Sequence, residues 1–141
     1  MLVKCKSILF LISLSSGFIL NSSLVFAEQL KADQVKALFT DKTSYAYHER
    51  RDFDFTSYYS SDGKLVSIRN GEKWTGKWRI KADGKHCIQL NDPYSGVAKL
   101  DKCMVIQNDA GTYKRFKIKR NGELKHIITY KRFVDGNPEN L

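Results

Sequence analysis

The strongest constraint on this fold is a series of glycine-centred turns spaced about a strand-length apart. Ser61-Asp62-Gly63-Lys64, Ala82-Asp83-Gly84-Lys85 and Arg120-Asn121-Gly122-Glu123 each set Asp-Gly or Asn-Gly between extended runs. That dipeptide accepts positive φ and favours tight two-residue hairpins. Asn108-Asp109-Ala110-Gly111 is a slightly longer version, and Asn91 to Gly96 forms the one long surface loop. The runs between these breaks predict strands over 43–49, 53–60, 64–70, 73–81, 85–90, 98–107, 112–120 and 123–134. Consecutive hairpins make an antiparallel meander of about eight strands, and closing it into a barrel would remove its exposed edges. The expected fold is therefore mainly β, a small up-and-down barrel or half-barrel, with a two-sheet sandwich as the alternative. One short helix is expected over Leu30–Phe39, with Asp33 as its cap and Val35, Leu38 and Phe39 on one face. It would plug one end of the barrel or pack outside it.

Residues 1–27 read as an export leader. Lys4 and Lys6 precede an apolar stretch from Ile8 to Leu20, and Val25-Phe26-Ala27 offers a signal-peptidase site. The stretch is short and laced with Ser and Gly, which favours removal over retention as an anchor. Cys5 precedes the apolar stretch and does not sit where a lipid would be attached. The remaining chain, 28–141, is one domain of ordinary size.

Export changes the reading of the cysteines. Without Cys5, Cys87 and Cys103 remain as an even pair, which in an exported domain reads as a disulfide. Metal ligation through His86 and Cys87 is the rival reading, but no CxxC or HxxxH spacing completes a ligand set. No cofactor motif occurs, so none is expected.

Charge narrows the partner. The whole chain carries +9, and losing Lys4 and Lys6 leaves +7. Much of the excess lies late, in Lys114, Arg115, Lys117, Lys119, Arg120, Lys125, Lys131 and Arg132, with Glu123 the sole acid between them. Such a field draws in polyanions. For an exported protein these are lipopolysaccharide, anionic lipid headgroups, wall polymers or extracellular DNA. The competing reading is a solvated strand face that keeps the domain soluble.

Two stretches could line a pocket. In Gly71–Ile80, Trp74, Gly76, Trp78 and Ile80 share one face at period two. They form either a tryptophan-rich core strand or an aromatic-lined pocket for an apolar or amphiphilic ligand. A barrel this small normally fills its interior with side chains, which favours the core reading. In 123–134, His126 and Arg132 face inward if Leu124, Ile128, Tyr130 and Val134 do, making a polar spot for an anionic head group. If Ile127, Thr129 and Phe133 face inward instead, or a bulge shifts the register, they do not.

Catalytic constellations are lacking. His48, His86 and His126 fall on separate strands outside any nucleophile, zinc or acid–base motif. Asp52 and Asp54 share a face but sit beside Arg50 and Arg51 as a charged edge. Tyr45, Tyr47, Tyr58 and Tyr59 near arginines are compatible with base stacking, although export argues against nucleic acid as the native partner.

The order of several weak motifs resembles small secreted bacterial β-barrel domains without assigned function. These motifs are Tyr58-Tyr59-Ser60-Ser61-Asp62-Gly63, Gly76-Lys77-Trp78, Cys87 and Cys103, and the closing Gly136-Asn137-Pro138. The resemblance implies fold and export, and carries over no active residues. Lipocalins also have Gly-x-Trp, but there it opens the barrel, whereas here it lies mid-chain. The sequence thus points to a periplasmic or secreted, non-enzymatic binding module for an anionic envelope partner. A barrel holding a ligand near Trp74 and Trp78 is the runner-up, and a small secreted hydrolase is the least supported reading.

Overall fold

Period-two burial carries the chain from one hairpin into the next. The structure, a computed structural model, describes residues 27–141, so the leader falls outside the described residues. In chain order the elements are β1 Glu28–Gln29, α1 Ala32–Phe39, β2 Lys42–His48, β3 Phe53–Tyr59 and β4 Lys64–Arg69. They continue with β5 Glu72–Ile80, β6 His86–Leu90, β7 Lys102–Asp109, β8 Thr112–Ile118 and β9 Leu124–Asp135. Strands β2 to β9 pair antiparallel in sequence order, and β9 returns to pair with β2, closing an eight-stranded barrel. The short β1, not anticipated from sequence, adds to β7 through Glu28↔Asn108 and Gln29↔Gln107.

The turns divide into two chemical types. Asn70-Gly71 and Ala110-Gly111 have positive φ at both residues and make two-residue loops. In the Asp62-Gly63, Asp83-Gly84 and Asn121-Gly122 turns only the glycine is left-handed. There Asp62, Asp83 and Asn121 accept a backbone N–H two residues on instead. The expectation of two-residue loops at those three sites is corrected accordingly.

In a meander every second connection lies at the same end. One end carries the turns at 60–63, 81–85 and 110–111, and α1 lies across it. Leu30 and Ala32 approach Gly84, where a Cβ would meet the Leu30 carbonyl oxygen at 2.8 Å. The helix begins after Lys31, whose N–H is capped by the Gln34 side chain, while Asp33 sits in the first turn and favours the helix dipole. From its C-terminal end, Phe39 enters the barrel. Its ring stacks on His86 at 4.0 Å and meets Tyr59, Tyr130 and Phe133 edge-on at 4.8, 5.3 and 5.2 Å. Leu65, Trp78, Ile88, Met104, Ile106 and Ile128 complete the packed interior. The core is filled at this end.

Two bulges set the register of β9. Arg115 pairs with Ile128 but Phe116 with His126, so Ile127 is the extra residue. Tyr45 pairs with Arg132 but Ala46 with Tyr130, so Lys131 is extra. As a result Ile127, Ile128 and Tyr130 are all buried, which no simple alternation would give. Cys87 and Cys103 are directly paired residues of β6 and β7, joined by a disulfide with Cα atoms 4.0 Å apart.

Candidate functional site

The opposite end of the barrel carries the connections 49–52, 70–71, 91–101 and 119–123, and among the described residues no helix covers it. Here the lining changes character. On β4, Leu65, Ser67 and Arg69 share the inward face, and on β8 Tyr113, Arg115 and Lys117 do. Ser57 and Ser67 exchange a hydrogen bond at 2.8 Å, and Arg69 donates from Nε to Ser67 Oγ at 3.1 Å. The Arg69 guanidinium lies 4.9 Å over the Phe55 ring. Arg115 is only 3% exposed, and its Nη2 donates to the carbonyls of His86 and Lys102 at 3.1 and 3.0 Å. Among the described residues its Nε has no hydrogen-bond partner.

These cations feel one another. Burial lowers the Lys102 ammonium pKa, and the charges of Arg51, Arg69, Arg115 and Lys117 lower it further. Burial likewise depresses Arg69, with Arg115 and Arg51 adding to the effect. At Arg69 the Tyr59 and Tyr130 side chains act the other way. Deeper in, burial and then Arg115 hold the imidazole of His86 well below its ordinary value, so that ring is neutral.

Around the rim, the carboxylates have partners of their own. Asp92 bonds Lys99 at 3.1 Å, Asp101 bonds Arg79 at 2.6 Å, Glu123 bonds Lys119 at 2.7 Å, and Glu72 accepts from the Tyr94 hydroxyl. Lys117 and Lys125 lie directly opposite each other on β8 and β9. The same end exposes apolar side chains. Leu100 is 85% exposed, Val97 65% and Tyr94 83% on the long loop, with Ile118 and Leu124 side by side at the β8–β9 hairpin.

The late basic residues read from sequence therefore do not form one patch. Arg115 is inside the barrel and leaves the surface set. Lys114 is paired with Asp109 near the helix-covered end, at 2.5 Å. Lys131 is paired with Asp54 at 2.5 Å on the outer wall, and Arg132 lies 3.8 Å over the Tyr45 ring. Lys117, Lys119 and Arg120 reach the open end. Arg51, Arg69 and Lys102 belong to the same site and were missed. The signal for Arg69 was present, since Leu65, Ser67 and Arg69 alternate on one face.

The candidate pocket of Trp74, Trp78, His126 and Arg132 is not assembled. Trp78 is core, its indole N–H donating to the Ser60 carbonyl at 2.9 Å. Trp74 is half-buried with the Lys99 ammonium 4.9 Å above it. The bulges turn His126 and Arg132 outward, where His126 stacks on Phe116 at 5.0 Å. Cys87, Asp101 and Cys103 do come together, but sulfurs bonded to each other offer no thiolate to a metal, and His86 faces inward, away from Cys87.

Fold and site together define a small closed antiparallel barrel, plugged at one end by a helix and cationic at the other. The chain matches no protein-family model, no curated protein and no solved structure.

Proposed function

We propose that this protein is a non-catalytic module that docks its open end on an anionic lipid surface. One observation carries the reading: Lys117, Arg120 and Lys125, in no ion pair among the described residues, share one end of the barrel with exposed apolar side chains. A polyanionic polymer would be attracted by the charge but would give nothing to Leu100, Val97, Ile118 and Leu124. A headgroup layer receives both, because shallow apolar insertion and phosphate contact act together. Each basic residue near such a surface contributes about 1 kcal/mol. The disulfide supports an oxidising compartment, where envelope lipids are the available surface.

The test is sedimentation with vesicles of phosphatidylglycerol against vesicles of phosphatidylcholine. Binding to the anionic vesicles alone is expected, weakening steeply with salt. Replacing Lys117, Arg120 and Lys125 together by Glu should weaken it by at least about a hundredfold, and Leu100→Asp should weaken it further. Equal binding to both vesicle types overturns the reading. Retention on heparin without vesicle binding also overturns it, in favour of a polymer partner.

A further inference from the structure

We infer that the open end contains a discrete site for one phosphate monoester, held between Arg69, Lys102 and Arg115. This deepens the lipid-surface reading by naming a single group within it, and it rests on different residues from the rim. Its starting point is an imbalance. A guanidinium taken out of water is strongly disfavoured unless something of opposite charge comes with it. Arg115 is nine-tenths buried or more and meets two carbonyl oxygens, with Nε unpartnered. Carbonyls satisfy donors without neutralising charge.

The neighbours compound the imbalance. Arg69 spends Nε on Ser67 and lies over Phe55, which leaves its terminal nitrogens for another acceptor. Lys102 belongs to β7, whose carbonyl at the same residue receives Arg115. Arg51, in the connection above, and Lys117, two residues beyond Arg115, add positive charge that Lys102 feels. Tyr130 contributes a buried hydroxyl beside Tyr59. Two inward arginines and a lysine at the same end of the barrel suit a dianion with several oxygens, and guanidinium forks match phosphate geometry.

Packing limits the rest of the ligand. The interior below this level is filled by Tyr59, Trp78, His86 and Phe39, so an acyl chain cannot descend into the barrel. The ligand must enter phosphate first and leave its body at the rim. Leu100, Ile118 and Leu124 stand there to meet an apolar body. The same phosphate could arrive as a soluble ester or as the headgroup of a lipid, and the two are separable by experiment.

Calorimetry should be run on the intact protein with glycerol 3-phosphate and, below its micellar concentration, dihexanoyl phosphatidic acid. Saturable binding of one equivalent is expected for both. Affinity at least about tenfold higher for the lipid would identify a lipid headgroup as the natural source, and equal affinity a soluble ester. Arg69→Gln and Lys102→Gln should each weaken binding about tenfold or more, the usual loss when a charge-assisted hydrogen bond is removed. Arg115→Gln is not relied on, since its carbonyl partners lie in the wall. Far-ultraviolet circular dichroism of the Arg69 and Lys102 variants controls for folding. Absence of saturable binding, or folded variants that bind like the parent, overturns the site. A double variant, Arg120→Glu with Lys125→Glu, should lose vesicle binding and keep glycerol 3-phosphate. Should the parent bind the soluble ester but no vesicle, the surface-docking reading falls and this site stands.

Discussion

At the helix-covered end, Phe39 brings one ring into contact with His86, Tyr59, Tyr130 and Phe133, so that aromatic packing dominates there. At the open end, three cations run from the buried Arg115 through the half-buried Arg69 to the exposed Lys102, and they feel one another's charge. The same eight strands build both ends. What separates them is which residues alternate inward: aromatic and aliphatic side chains fill the lower half, while Arg69, Arg115 and Ser67 join Phe53 and Phe55 on the upper. The lower half contributes stability. The upper half spends some of it, and local conflict of that kind is expected where a protein meets its ligand.

Perturbations should therefore divide cleanly between the ends. Phe39→Ala strikes the packed end and should cost about 3–5 kcal/mol, read from denaturant midpoints, while the phosphate affinity of the folded fraction is unchanged. Replacing Cys87 and Cys103 by Ala, which opens a crosslink between residues 16 apart, should cost about 3 kcal/mol on the chain-entropy model.

His86 sharpens the boundary through pH. Its folded pKa is depressed by burial and by Arg115, so the unfolded chain takes up a proton that the folded barrel refuses. Its stability term is complete above about pH 6.5 and falls by about 1.4 kcal/mol per unit below it. His86→Phe removes both unpartnered ring nitrogens and keeps the stack on Phe39. It should leave stability at pH 7 unchanged or higher and flatten the acid slope. An unaltered slope would show that other groups carry the acid response.

The smallest effect is expected at Asp92 in the long loop. Backbone N–H groups of Ser95 and Tyr94, then Lys99, hold its carboxyl at about 2. The depressed value means that its support is present above about pH 3.8 and fades as pH falls toward 2. Asp92→Asn should speed amide exchange of residues 94–97 at neutral pH. It should match the parent in strong acid.

Much of the architecture was legible because it is local. Each hairpin is announced by its own Gly, and the alternation in 53–59 and 64–69 states which side chains pair. The bulges at Ile127 and Lys131 were not legible, since they answer to two neighbouring strands at once. The site was obscured for a related reason. On β8 the apolar Phe116 faces outward against His126, while Arg115 faces in, which reverses the usual pattern. A dense run of Lys and Arg reads as one surface until parity assigns its members to opposite sides. The mouth also draws on Arg51, Arg69 and Lys102, far apart along the chain and gathered only by closure.

Closure itself has a kinetic consequence. Every strand contact from β2 to β9 joins sequence neighbours except the seam between β9 and β2, where Lys42 faces Asp135 and Thr43 Oγ1 donates to the Gly136 carbonyl at 2.7 Å. Hairpins can zip within microseconds, but this seam must wait for the two extremities of the sheet to find each other. The molecule is thus a ribbon before it is a ring, and until the clasp fastens its mouth has no shape to offer.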